Sequence, residues 1–91
     1  MPHVRQFETP KSNIVRISNL PLDSTKEEIK FILKNFRIQE NDVHMLPTSE
    51  GGFSGSALVT FPDEMEAQKA IRHRNMFFHR DRYIEMHIYQ G

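Results

Sequence analysis

Apolar residues recur with two different periods between Asn13 and Ile88, and each change of period marks the end of a structural element. In Ile14-Val-Arg-Ile-Ser18 they alternate, Val15 and Ile17 falling on one face and Arg16 and Ser18 on the other, as in a half-buried strand. Leu20-Pro-Leu-Asp23 breaks that strand. Ser24-Thr-Lys-Glu27 then has the spacing of a capping box, with Ser24 at N-cap and Glu27 at N3. Ile29, Ile32, Leu33 and Phe36 follow at helical spacing, which predicts a helix from Thr25 to about Asn35. Alternation returns from Asp42 to Leu46, with Val43 and Met45 opposed to His44 and Leu46. Pro47 to Gly55 contains Gly51-Gly52 and reads as a loop. A third strand is expected from Ser56 to Phe61, with Ala57, Val59 and Phe61 on one side and Ser56, Leu58 and Thr60 on the other. Pro62-Asp63 ends it. Asp63 as N-cap with Glu66, followed by Ala67, Ala70 and Ile71, predicts a second helix. Arg74 to Asp81 reads as a loop, and Tyr83 to Ile88 as a closing strand with Ile84, Met86 and Ile88 inward.

The resulting order, β-α-β-β-α-β, is that of a ferredoxin-like α+β sandwich: a four-stranded antiparallel sheet with two amphipathic helices on one face. The first and third strands form the central pair in this topology. Arg16, Ser18, Ser56 and Leu58 are therefore expected mid-sheet on the uncovered face. Residues 1–12, with two prolines and no sustained periodicity, are expected to form a flexible leader to a domain spanning 13–90.

At 91 residues the chain has room for one modest core. No apolar run approaches the roughly 20 residues of a membrane-spanning helix, and the N-terminus lacks the pattern of a secretory signal. The absence of cysteine excludes a disulfide framework and a thiolate zinc site. Twelve basic and twelve acidic residues leave a formal net charge of zero, so any grip on nucleic acid has to be local rather than a property of the whole field.

Two strands carry a family resemblance. Val15-Arg-Ile-Ser-Asn-Leu20 resembles the RNP2 strand of an RNA recognition motif, and Ser54-Gly-Ser-Ala-Leu-Val-Thr-Phe61 resembles its RNP1 strand through Gly55, Ala57, Val59 and Phe61. The family's three stacking positions fall on Arg16, Ser56 and Leu58, none of them aromatic, so the usual stacking of bases on sheet aromatics cannot operate in its standard form. Val15-Arg16, Leu20-Pro21, Gly55 and Arg82-Tyr-Ile-Glu85 are similar to a narrower group, the quasi-RNA recognition motifs of the heterogeneous nuclear ribonucleoprotein F/H and RNA-binding protein 12 types. That resemblance implies contact with single-stranded, G-rich RNA through the loops after the first strand, between the second and third, and before the last. The matching positions are Arg16, the Asp23 region, Arg82 and Tyr83. Ser18 stands where the group often has a second arginine, and Leu22 where it often has an aromatic.

A second candidate needs no resemblance. Arg72-His-Arg-Asn-Met-Phe-Phe-His-Arg-Asp-Arg-Tyr83 concentrates cations and rings. Arginine forms bidentate hydrogen bonds with phosphate or guanine edges and stacks on bases. Phe77, Phe78 and Tyr83 offer surfaces on which single-stranded bases stack. Arg74, Arg80, Arg82 and Tyr83 are the contact candidates here. The plainer reading makes Arg72 and Arg74 counter-charges for a helix C-terminus and Arg16 one half of a cross-strand ion pair with Glu85 or another acidic neighbour.

Catalysis finds little support. His3, His44, His73, His79 and His87 lack metal-ligand spacing. Asn19-Leu-Pro-Leu22 has none of the glycine-rich phosphate cradle of acylphosphatases, which share the topology. Asp23, Glu27, Glu28, Asp63, Glu64 and Glu66 read as capping and helix-face carboxylates. The expectation is a non-enzymatic, cofactor-free, monomeric RNA-binding module. Its RNA-binding residues would be Arg16, Ser18, Leu22, Ser56, Leu58, Arg74, Arg80, Arg82 and Tyr83. A nuclear RNA-processing or splicing context follows from the resemblance. The alternative is a protein-interaction module in which Leu58 marks a partner surface on the open face.

Overall fold

β1, Ile14–Ser18, buries Val15 and Ile17 and exposes Arg16, as its alternation requires. The computed structural model describes residues 12–90, so most of the expected leader lies outside the described residues. The remaining elements are α1 (Lys26–Ile32), a 3-10 turn (Glu40–Asp42), β2 (Val43–Pro47), β3 (Phe53–Thr60), α2 (Glu64–Arg74), β4 (Phe77–His79) and β5 (Arg82–Ile88). The sheet order is β2-β3-β1-β5-β4, with antiparallel pairing throughout. This is the expected ferredoxin-like arrangement, with β1 and β3 adjacent and both helices on one face. Val15, Ile17, Ala57, Val59, Ile84 and Met86 from the sheet, with Phe61 just past β3, meet Ile29, Ile32, Leu33, Ala67 and Ala70 from the helical layer. Each fully buried branched aliphatic side chain contributes about 1.5–3 kcal/mol.

Several boundaries moved, each for an identifiable reason. The N-cap of α1 is Thr25, whose hydroxyl accepts from the Glu28 amide, rather than Ser24. Ser24 instead closes the preceding turn, donating its amide to the Pro21 carbonyl, and is buried there. The helix ends near Leu33 instead of Asn35 because the next bonds, Lys34 to Phe31 and Phe36 to Leu33, tighten to i→i−3 spacing. Asp42 belongs to the 3-10 turn, accepting the Gln39 amide, so β2 starts one residue later than expected. β3 begins at Phe53, inside the expected loop, and pairs there with Pro47 across a bulge.

The largest departure is β4. The segment expected to be a loop contains Phe77–His79, paired with β5 as Phe77↔Ile84, Phe78↔Tyr83 and His79↔Arg82. The sheet therefore has five strands rather than four. Arg80 and Asp81 form the two-residue turn between β4 and β5, and Arg80 takes φ 66°, the left-handed conformation such turns demand. Glycine or asparagine satisfies that demand at little cost, whereas other residues give up about 1–2 kcal/mol. An Arg-Asp turn thus carries no conventional sequence signal.

Candidate nucleic-acid interface

The antiparallel register brings three connections to one end of the sheet: the β1–α1 loop, the β2–β3 loop and the β4–β5 turn. Gly55 controls how closely the first of these approaches β3. Its φ is +90°, and a Cβ there would lie 3.1 Å from the Leu20 carbonyl oxygen and 3.5 Å from Leu22 Cδ2. With no side chain in the way, the Leu20 amide donates to the Gly55 carbonyl at 3.0 Å. Asn19, at φ 65°, fixes the other side by donating from Nδ2 to the Tyr83 carbonyl at 2.9 Å. Pro21, Leu22, Asp23, Arg80, Asp81 and Arg82 then line an open groove of about 690 Å³. Leu22 is 70% exposed at its rim.

The arginines differ in how they are held. Arg80 makes two short ion pairs while its side chain stays 41% exposed: Nη1 donates to Asp23 Oδ1 at 2.7 Å and Nη2 to Glu28 Oε1 at 2.8 Å. The second Glu28 oxygen, Oε2, meets His79 Nε2. Hydrogen bonding and charge from Arg80 hold the Asp23 carboxyl below its ordinary range. Burial pushes the Glu28 carboxyl up, but hydrogen bonds from His79 and Arg80 together outweigh it, and the net displacement is downward. Arg82 is held more loosely. Its Nε donates to Asp81 at 3.3 Å and its Nη1 reaches the Leu20 carbonyl at 3.5 Å. Arg74 lies elsewhere, in the last turn of α2, with its guanidinium 5.1 Å from the Phe77 ring centre. Phe77 itself packs against the core, so Arg74 belongs to the helical side of the sheet.

On the uncovered face Arg16 stands between Leu58 of β3 and His87 of β5. Among the described residues it makes one long hydrogen bond, 3.5 Å, to Ser56 Oγ, and forms no ion pair with Glu85 or another carboxylate; Glu85 lies 3.6 Å from His87 instead. Ser56 is buried at 8% exposure, and Ser18 and Leu58 are half-buried. Toward the loop end the surface turns aromatic. Phe78 and Tyr83 pair edge to face with centres 4.9 Å apart, and they remain 57% and 54% exposed. Cross-strand pairing places Phe78 beside Tyr83 on the open face, while Phe77 turns inward beside Ile84. The sequence showed these rings but not which of them share a face, because that depends on β4. It gave no sign of the Asp23–Arg80–Glu28–His79 cluster, whose bonded partners lie 51 to 57 positions apart.

A single antiparallel sheet with β1 and β3 at its centre, two helices behind it and loops gathered at one end is the architecture of RNA recognition motifs. The chain belongs to that family: the model of the RRM domain matches residues 15–91. Among curated relatives, human RNA-binding protein 12B is 35% identical over 75 residues, covering 77% of this chain and 8% of its own length. Bovine heterogeneous nuclear ribonucleoprotein F is 34% identical over 80 residues, covering 87% of this chain and 19% of its own length. Mouse RNA-binding protein 12B-B is 40% identical over 58 residues, 64% of this chain and 7% of that protein. The chain thus spans a small part of each of these relatives. Among solved structures, the human G-rich RNA sequence binding factor 1 superposes with a TM-score of 0.80 at 26% identity, covering 90% of this chain and 84% of that one. The second quasi-RNA recognition motif of Glorund shares the fold, with a TM-score of 0.74 at 22% identity over 87% of this chain and 90% of that one.

Proposed function

We propose that this domain is a non-catalytic, single-stranded RNA-binding module of an RNA-processing protein, and that it holds RNA mainly by the loop end of the sheet. The observation that carries this reading is the gathering of Arg82, the exposed Phe78–Tyr83 pair and the Leu22-rimmed groove at one end. The three central stacking positions hold Arg16, Ser56 and Leu58. Tyr83 and Phe78 supply stacking surface, Arg82 and Arg16 supply cations, and Ser18, Leu22, Ser56 and Leu58 flank the path. The name of the G-rich RNA sequence binding factor makes G-rich RNA the first ligand to try. A nuclear location and a monomeric state belong to the same proposal.

The test is an affinity titration with labelled G-rich, U-rich and A-rich oligonucleotides at several salt concentrations, with amide shifts mapped in parallel. Salt-sensitive binding with shifts at Arg16, Arg82 and Tyr83 supports the proposal, and no binding at low salt ends it. A second reading has its own observation: Leu46 and Leu58 are both half-buried on the open face and belong to the paired strands β2 and β3. Shifts confined to that patch on adding a peptide would favour a protein partner.

A further inference from the structure

Arg80 is the candidate cation with the tightest partners, and its surroundings argue against a contact role. Asp23 comes from the β1–α1 loop, Glu28 from α1, and Arg80 from the β4–β5 turn. One guanidinium therefore ties together the two connections that form the groove. Glu28 is only 15% exposed at its side chain and is held from both sides, by Arg80 and His79. A phosphate approaching Arg80 would meet two carboxylates already satisfied by it. The backbone shows that the side chain matters: φ 66° suits glycine, so the turn gains nothing from arginine except its side chain, and the two ion pairs say what that side chain holds.

We infer that Arg80 is a positioning residue: with Asp23 and Glu28 it braces the β1–α1 loop against the β4–β5 hairpin, fixing the groove and the presentation of Arg82 and Tyr83 without touching RNA. The inference rests on the RNA-binding reading above and goes beyond it by removing one expected contact and assigning it another task. Its consequence has a sign that simple electrostatics would invert. Asp23→Asn and Glu28→Gln each delete a negative charge near the groove. A masked contact arginine would be released by either change and bind RNA more tightly. A brace would be broken and bind it less tightly.

The test measures oligonucleotide affinity against salt for wild type, D23N, E28Q, R80G and R82A, with amide hydrogen exchange of the free proteins. R80G keeps the turn conformation, so loss of fold is not the expected result. Bracing predicts about a two- to fivefold loss for D23N, E28Q and R80G, the scale of a partly exposed ion-pair network. It also predicts an unchanged salt slope for R80G, whereas R82A makes the slope shallower by about 0.7, one single-strand phosphate contact. In the free protein, exchange of the Leu20 amide should quicken in R80G. Tighter binding by D23N or E28Q, a shallower slope in R80G, or unchanged exchange in R80G would overturn the inference. Wild type that binds RNA alongside unaffected variants overturns it alone; wild type that binds no RNA overturns the function as well.

Discussion

At the middle of the open face, Arg16, Ser56 and Leu58 sit on regular paired strands, and their only mutual polar contact is a 3.5 Å bond. At the loop end of the same sheet, two residues with φ near +65°, Asn19 and Arg80, are held by side-chain bonds of 2.9 Å and shorter. The middle is specified by local alternation and should tolerate change. The end depends on a few long-range fastenings, and it is also where the exposed rings lie. A surface that must hold a flexible ligand in one geometry gains from such fastening, because a loop fixed in advance loses less entropy on binding.

The sharpest way to break this contrast is at adjacent residues of β3. Gly55→Val places a branched side chain at φ +90° and against the Leu20 carbonyl, and should cost about 2–4 kcal/mol of stability in chemical denaturation. Ser56→Ala, one residue on, should cost less than about 0.5 kcal/mol. Similar losses at the two positions would erase the distinction. Next in size is Tyr83→Ala, which removes half of the edge-to-face pair and should weaken RNA binding by about 1–3 kcal/mol with little change in fold. Phe78→Ala should follow it in direction. Undiminished affinity in both would move the binding surface away from the loop end.

These two regions also differ in what could be read from the sequence. Val15, Ile17, Ala57, Val59, Ile84 and Met86 fall at every second position of their strands, and all are buried where alternation placed them. The Asp63 cap was equally local, its carboxylate and the Glu66 amide lying three positions apart. The end of the sheet resisted because its determinants are distant pairs. Phe77-Phe-His79 is too short to show a period, and Arg80-Asp81 is not one of the glycine-containing pairs that signal a two-residue hairpin, so β4 was invisible. Without β4, nothing placed His79 and Arg80 against Glu28 or Phe78 beside Tyr83. The one-residue error at the α1 cap has a related cause, since Ser24 and Thr25 are both capable caps and the Pro21 turn chose between them.

Acid should loosen the end before the middle. The folded-state pKa values of Asp23 and Glu28 are depressed, so their stabilisation is present above the ordinary values of 3.8 and 4.5 and is lost as pH falls through the lower folded values. Melting curves of wild type and Glu28→Gln, recorded from about pH 6 down to about pH 3, should converge. Wild type is the more stable at the upper limit by a few degrees, and its advantage shrinks toward the lower one. A gap between them that does not change with pH would mean that the Glu28 carboxylate adds no pH-dependent stability.

The smallest expected effect belongs to Arg16, at the centre of the face. Among the described residues its guanidinium has only the long bond to Ser56, so Arg16→Ala should leave the melting temperature almost unchanged. Its effect should appear in binding instead. If Arg16 meets a phosphate, its loss lowers affinity about two- to fivefold at moderate salt and makes the salt slope shallower by about 0.7. The slope is the more telling quantity. An arginine that merely orders the surface changes affinity at every salt concentration alike, whereas a phosphate contact changes it most when salt is low. A shallower slope would extend the RNA path from the rim onto the middle of the sheet. An unchanged slope would confine RNA to the loop end and leave Arg16, Leu46 and Leu58 as a surface for a protein partner.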